Sequence, residues 1–248
     1  MLSPGQWGWA ALSILAASVL RGFTGFGFAV VAVPLASLVL PPQPVVAAAL
    51  LMQAAIGARD CFAERGRADW RSVRRLTAGA VIGTPIGLLA LAFAPIAWVR
   101  LGLGGLVMVA TFITWRPIRH RGPPARPWAV FAGVCSGISS GLAAMSGPPA
   151  IVYFLAAEND RVLVRSSLMV YFPLVSLLAL PPAWFGGLVG MEAAIIAAFG
   201  LPIMIAGGWA GTWLFRRYGQ MAYRPTAIIS LALTAVAAMA RGVAGLLP

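Results

Sequence analysis

The sequence predicts an all-α polytopic membrane protein of two inverted repeats, each a re-entrant helical hairpin plus three transmembrane helices. Three observations lead there. Of 248 residues, 60% are hydrophobic and 10% charged, with a mean hydropathy of +0.90, where a soluble domain carries about 25% charged residues. Second, an apolar stretch broken by glycines occurs twice. In RGFTGFGFAVVAVPLASLVLPP, residues 21–42, glycines at 22, 25 and 27 interrupt the run. In SGISSGLAAMSGPPAIVYF, residues 136–154, Gly137 answers Gly22, Ser139 answers Thr24 and Pro149 answers Pro34, each 115 positions later. Paired, glycine-interrupted apolar segments in two halves of a chain point to the binding site of a secondary transporter. Third, the net charge of +12 comes from arginine alone, and the arginines cluster between apolar segments, as the positive-inside rule expects of cytoplasmic loops.

The first repeat covers residues 1–122. Residues 7–20 form one apolar limb and 28–40 a second, separated by the break at 22–27. At 1.5 Å per residue each limb is about 20 Å long, short of the roughly 30 Å hydrocarbon core, so the hairpin 7–40 is expected to enter and leave on one side. Span 44–58 leads into RDCFAERGRADWRSVRR, where Arg59, Arg65, Arg67, Arg71, Arg74 and Arg75 predict a cytoplasmic loop. Residues 76–93 cross back, Pro95 turns the chain, and 97–115 return to RPIRHRGPPAR, a linker rich in Pro and Gly.

The second repeat, residues 123–248, opens with the hairpin 127–157, broken at 136–146. Spans 162–180, 191–215 and 225–246 follow. PPAWFGGLVG is expected to turn between the first two, and Arg216, Arg217 and Arg224 to mark a loop between the last two. With the basic loops inside, the first hairpin begins and ends outside and the second inside. Each half then makes three crossings, the halves are inverted, and both termini lie outside. The alternative treats all four limbs as full spans. Met1–Trp9 lacks the basic n-region of a cleaved signal peptide.

Backbone that leaves helical geometry at membrane depth must be buried in protein or line a wet cavity, so the two breaks are expected to meet near the midplane. Each return limb starts just past its break and aims its unpaired N–H groups and positive dipole end at a common anion. Candidate substrate contacts are Arg21, Gly22, Thr24, Gly25, Phe26 and Gly27 in the first break, then Gln53. The second break supplies Ser139, Ser140, Gly141, Ser146, Gly147, Pro148 and Tyr153. Hydroxyls donate hydrogen bonds and glycines admit a ligand close to the backbone. Arg21 lies some 20 Å into its limb, and an ionisable residue at such depth is a functional candidate. Snorkelling or pairing with a carbonyl is its alternative role. Gln53 has the alternative of bonding a neighbouring helix, and Tyr153 and Tyr171 of packing. Arg165, Arg241 and Glu192 are expected at interfaces, and AGGWAGTW, residues 206–213, in close helix packing.

Other classes are disfavoured. Without lysine there is no phosphate-binding loop. Cys61 and Cys135 suggest neither a disulfide framework nor a zinc site, and His120 sits among loop arginines. No cofactor, metal or nucleic acid is expected. An enzyme needs positioned acids, bases or nucleophiles, and the deep segments hold no His, Asp or Glu. The expected partners are a small anionic substrate and the lipid bilayer, with a homodimer left open.

Gly22-x-x-Gly25-x-Gly27 with Pro34 and Pro41, then Ser136-Gly137-x-x-Ser140-Gly141 and Ser146-Gly147-Pro148-Pro149, resembles the TauE/SafE family of sulfite and organosulfonate permeases over nearly the full length. The resemblance implies a multi-pass protein of the bacterial inner (plasma) membrane. It would move small sulfur-containing anions, such as sulfite, sulfoacetate or other organosulfonates, by alternating access to a midplane site. Phe28 stands where the family often has glycine, and Arg165 where a small polar residue is expected. A permease for another small anion such as a carboxylate, and a non-transporting membrane assembly partner, are the competing readings.

Overall fold

Ser3 opens the first helix through a capping box: its hydroxyl accepts from Gln6 N–H while the Gln6 side chain accepts from Ser3 N–H. With Pro4 at the first helical position, where its missing N–H costs nothing, helix α1 runs Pro4–Thr24. Gly25 ends it in the left-handed region, φ 81°, as C-terminal glycines commonly do. The chain then doubles back as α2 (Phe28–Ala36), which Trp9 ties to α1 by donating from Nε1 to Leu35 O at 2.7 Å.

The computed structural model describes residues 3–93, 108, 126–157 and 160–244. Among these the remaining elements are α3 (Pro42–Glu64), α4 (Trp70–Phe93), α5 (Arg126–Ala143), α6 (Gly147–Ala157), α7 (Arg161–Phe185) and α8 (Met191–Ala244), with no strand. Three helical stretches are long and apolar enough to cross a membrane: Trp70–Phe93, Val162–Phe185 and Met191–Tyr218. The expected span 97–115 and linker 116–126 lie outside the described residues but for Met108 and Arg126.

Several boundaries differ from expectation. The first limbs are long, 21 residues in α1 and 18 in α5, and only the return limbs are short, nine residues in α2 and 11 in α6. Helix α3 continues past the expected end at 58 to Glu64, and α8 continues through Arg216–Arg224, where a turn was expected. Arginine is a good helix former, so a basic cluster shows where a helix leaves hydrocarbon without showing where its backbone turns. Pro181 and Pro182 lie inside α7, and the turn falls at Gly186–Gly190, where Gly187 has φ 72°.

Packing relates the halves by exchange. Helix α1 lies along α8, and α5 lies along α4; α3 packs on α7, and α3 also touches α8 while α7 touches α4. Small residues allow this. On α4 and α5 the series Gly79, Gly83, Gly87 and Gly133, Gly137, Gly141 interlock so closely that a methyl on Gly83 would fall 2.1 Å from Val134 O, and one on Gly133 2.1 Å from Leu76 O. Such small-xxx-small seams drive helix association in lipid, where the hydrophobic effect is absent. The α1–α8 seam is built likewise from Gly22, Gly207 and Gly211, in agreement with the expected role of residues 206–213. Leu at Gly83 should therefore abolish recovery of monodisperse protein in size-exclusion chromatography. Leu at Gly190, which has open space around it, should not.

Candidate functional site

Both breaks are present and buried. The first comprises Gly25–Gly27, with Gly25 and Gly27 at φ 81° and 91°. The second comprises Ala144–Ser146, and Ala144 has φ 57°. Gly25 N–H donates to Arg21 O at 2.7 Å, and Ala144 N–H to Ser140 O at 2.6 Å, so each first limb ends in a left-handed residue. Gly25 and Ala144 are 119 positions apart, as are Phe28 and Gly147, which open the return limbs. The structural register is therefore 119 and not the 115 read from the sequence. The difference is one helical turn, because Gly133, Gly137 and Gly141 recur every four residues and a match by glycine cannot choose among them.

That shift reassigns several expected contacts. Gly22, Ser139, Ser140 and Gly141 lie in the last turns of α1 and α5, outside the breaks. Gly22 and Gly141 are packing glycines: a methyl at Gly22 would meet Gly208 O at 2.3 Å, and one at Gly141 would meet Thr84 O at 2.4 Å. Most hydroxyls are spent on backbone. Thr24 Oγ1 lies 2.7 Å from Phe26 O and 2.8 Å from Leu20 O and accepts Phe26 N–H at 3.3 Å. Ser139 donates to Cys135 O, and Ser136 donates to Ser146 O across the second break, both at 2.5 Å. Ser140 is fully buried, and its hydroxyl has no partner among the described residues. Valine at Thr24 would strand the buried Phe26 N–H, which should cost about 1–3 kcal/mol in thermal unfolding, with Thr24→Ser close to the parent.

Gln53, buried on α3, donates from Nε2 to Ala144 O at 3.3 Å, taking the alternative of bonding a neighbouring segment. Tyr153 OH shares a 3.1 Å hydrogen bond with Ser72 Oγ at the start of α4. Phe26 is buried in the first tip. The tips touch: Gly147 faces Val30, so a methyl on Gly147 would lie 3.6 Å from Val30 Cγ2. On α3, Gln53 bonds the second break, while Asp60 pairs with Arg21 of α1 and Glu64 with Arg165, which lies against Gly25. Seven residues separate Gln53 from Asp60, about 10 Å along the helix.

The return limbs differ as anion receptors. No side chain caps α2 at Gly27, and its first-turn amides belong to Phe28, Ala29 and Val30, which are buried and have no intrahelical acceptor. In α6 Pro148 and Pro149 follow Gly147 and donate nothing. Pro148 can shape a site but cannot bond an anion through its backbone nitrogen.

The structure adds two carboxylates that the sequence left in a loop. Arg21, 6% exposed, pairs with Asp60 of α3, 8% exposed. Arg165, expected at an interface, is also buried: it contacts Glu64 at 3.4 Å, donates to Gly22 O at 3.0 Å, and lies 4.6 Å from the Phe215 ring centre. Ser166 donates to the other Glu64 oxygen at 2.7 Å. Arg165 thus caps the C-terminal end of α1, where carbonyls and the helix dipole favour a cation. Asp60 and Glu64 are one turn apart on one face of α3, and that spacing together with two otherwise unbalanced arginines was the available signal. Between α1, α3, α7 and α8 lies a cavity of about 50 Å³ that reaches Arg21, Asp60 and Arg59. Among the described residues no group of three or more metal-ligating side chains occurs.

Residues 10–238 match the family model described as Sulfite exporter TauE/SafE. A curated relative, the probable sulfite/organosulfonate exporter TauE of Cupriavidus necator, is 28% identical over 206 residues, covering 79% of this chain and 77% of the relative. No solved structure gives a significant match. With apolar helices of membrane-crossing length and a family match over most of its residues, this chain is a multi-pass membrane protein that belongs to the TauE/SafE sulfite exporter family.

Proposed function

We propose that the chain is a secondary transporter that carries small sulfur-containing anions, sulfite or an organosulfonate, out across the inner membrane by alternating access. The substrate sits between the two break tips, where Gly147 of one half faces the uncapped first turn of α2 in the other. That juxtaposition carries the reading. An uncapped, buried helix start offers amides and the positive dipole end to an anion. The exchange of packing partners between halves supports an inverted repeat, and the short return limbs support re-entrant hairpins.

The test is counterflow of radiolabelled sulfite in proteoliposomes. Gly147→Ala, whose methyl makes only ordinary contacts at 3.4 and 3.6 Å, should keep most of the rate. Gly147→Leu places a branched side chain between the tips and should lower the rate at least tenfold while the protein stays folded. A wild-type rate for the leucine variant would reject the site, and faster counterflow of acetate than of sulfite would reject the substrate class.

A further inference from the structure

The cavity beside the first tip has a charge pattern that the tips lack. Its floor is Arg21, paired with Asp60, and its rim carries Arg59, which is exposed. Arg59 Cζ lies 5.6 Å from the Trp209 ring centre, so the aromatic face holds this guanidinium at the mouth. The other lining side chains are uncharged: Ile56 on α3, Met169 on α7, and Met204, Ile205 and Thr212 on α8. Two guanidinium groups against one carboxylate leave a local charge of +1. The nearest further pair, Arg165 with Glu64, is internally balanced. A cavity of about 50 Å³ has room for three or four water molecules or one oxyanion head group. It is joined to the first tip through Met169, which lines it and also lies against Gly25.

We infer that this cavity is a loading site for a monoanionic oxyanion head, hydrogensulfite or a sulfonate, at the end of α3 that the arginine clusters assign to the cytoplasm. Arg59 captures the anion at the rim and Arg21 receives it at the floor. Asp60 is the fixed counter-charge with which the anion competes for Arg21, so binding stays weak enough for onward transfer to the tip. A dianion would leave the filled cavity with a net charge of −1 and would cost more to strip of water, so it should bind less well. The inference rests on the permease reading for its role in transport, but binding at the cavity can be judged without it. The phosphate of a lipid head group shares this chemistry, and binding in maltoside micelles, which hold no phosphate, separates the sources.

The experiment is isothermal titration of the full-length protein in maltoside with hydrogensulfite and with methanesulfonate, beside sulfite counterflow. Arg59→Gln, at an exposed position, should weaken binding of both anions 10- to 100-fold, as expected for loss of one charge-assisted contact. Asp60→Asn keeps the shape and a hydrogen bond to Arg21 and should tighten binding several-fold. In a Gly147→Leu background, where the tips are obstructed and counterflow is stopped, the remaining binding should still be weakened 10- to 100-fold by Arg59→Gln. Failure of the wild type to bind either anion at millimolar concentration, or affinities within twofold of the wild type in both Arg59→Gln and Asp60→Asn, would overturn the loading site. Binding only after anionic phospholipid is added, lost in Arg59→Gln, would assign the cavity to a lipid head group and overturn its role in loading. If the cavity variants behave as expected and wild-type counterflow is absent, the permease reading fails and the site stands.

Discussion

Asp60→Ala should destabilise the protein by about 3–5 kcal/mol, since removing one partner of a buried ion pair leaves the other charged and unpaired. Arg21 is 6% exposed and bonded to Asp60, and its neighbours across the cavity, Met169, Met204 and Gly208, offer no replacement carboxylate. The double variant Arg21→Met with Asp60→Leu should recover most of that loss, because buried pairs replaced by apolar residues of similar volume are often neutral or better. It should not recover sulfite counterflow. Thermal unfolding in detergent checks the first part and vesicle assays the second. A loss below 1 kcal/mol for the single variant would mean that water reaches Arg21 freely.

Gly25→Ala carries the second large effect, about 2–5 kcal/mol. Holding a non-glycine residue at φ 81° costs roughly 1–2 kcal/mol, and here the new methyl would also lie 2.7 Å from Arg165 Cγ and 3.1 Å from Arg165 O. Such overpacking adds about 1–3 kcal/mol. Arg165 would be pushed from Gly22 O and Glu64, loosening the end of α1. The comparison is Gly187→Ala, also at positive φ, 72°, but with nothing within 4 Å. It isolates the backbone contribution and should cost about 1–2 kcal/mol. Equal melting temperatures for the two variants would show that the Arg165 contact is soft.

Much of the fold was legible because lipid constrains sequence strongly. The helical class followed from composition, and the observed breaks at 25–27 and 144–146 fall inside the stretches 22–27 and 136–146 expected to hold them. What failed had specific causes. Glycine served two purposes in one segment: Gly25 and Gly27 turn the chain, while Gly22, Gly137 and Gly141 bring backbones together. Sequence alone does not separate them except by the four-residue spacing. Hydroxyls near a break looked free to bind a ligand, yet Thr24 and Ser136 bond the backbone that the break itself exposes, and Ser139 bonds Cys135 O one turn back in α5. Asp60 and Glu64 were counted with the loop that follows them. Had each deep arginine been required to find a carboxylate, α3 would have been extended by a turn and both pairs anticipated.

The exchange of helices between halves bears on biosynthesis. Helix α1 leaves the ribosome with its glycine seam unmatched, since the surface that receives it begins at Met191 of α8, 167 residues after Thr24. At roughly 5–20 residues per second the nascent hairpin waits some ten seconds or more, shielded only by lipid, the translocon or a chaperone. Among the described residues α1 and α4 thus wait for partners made later, and α8 closes the seam with α1 much as a keystone closes an arch.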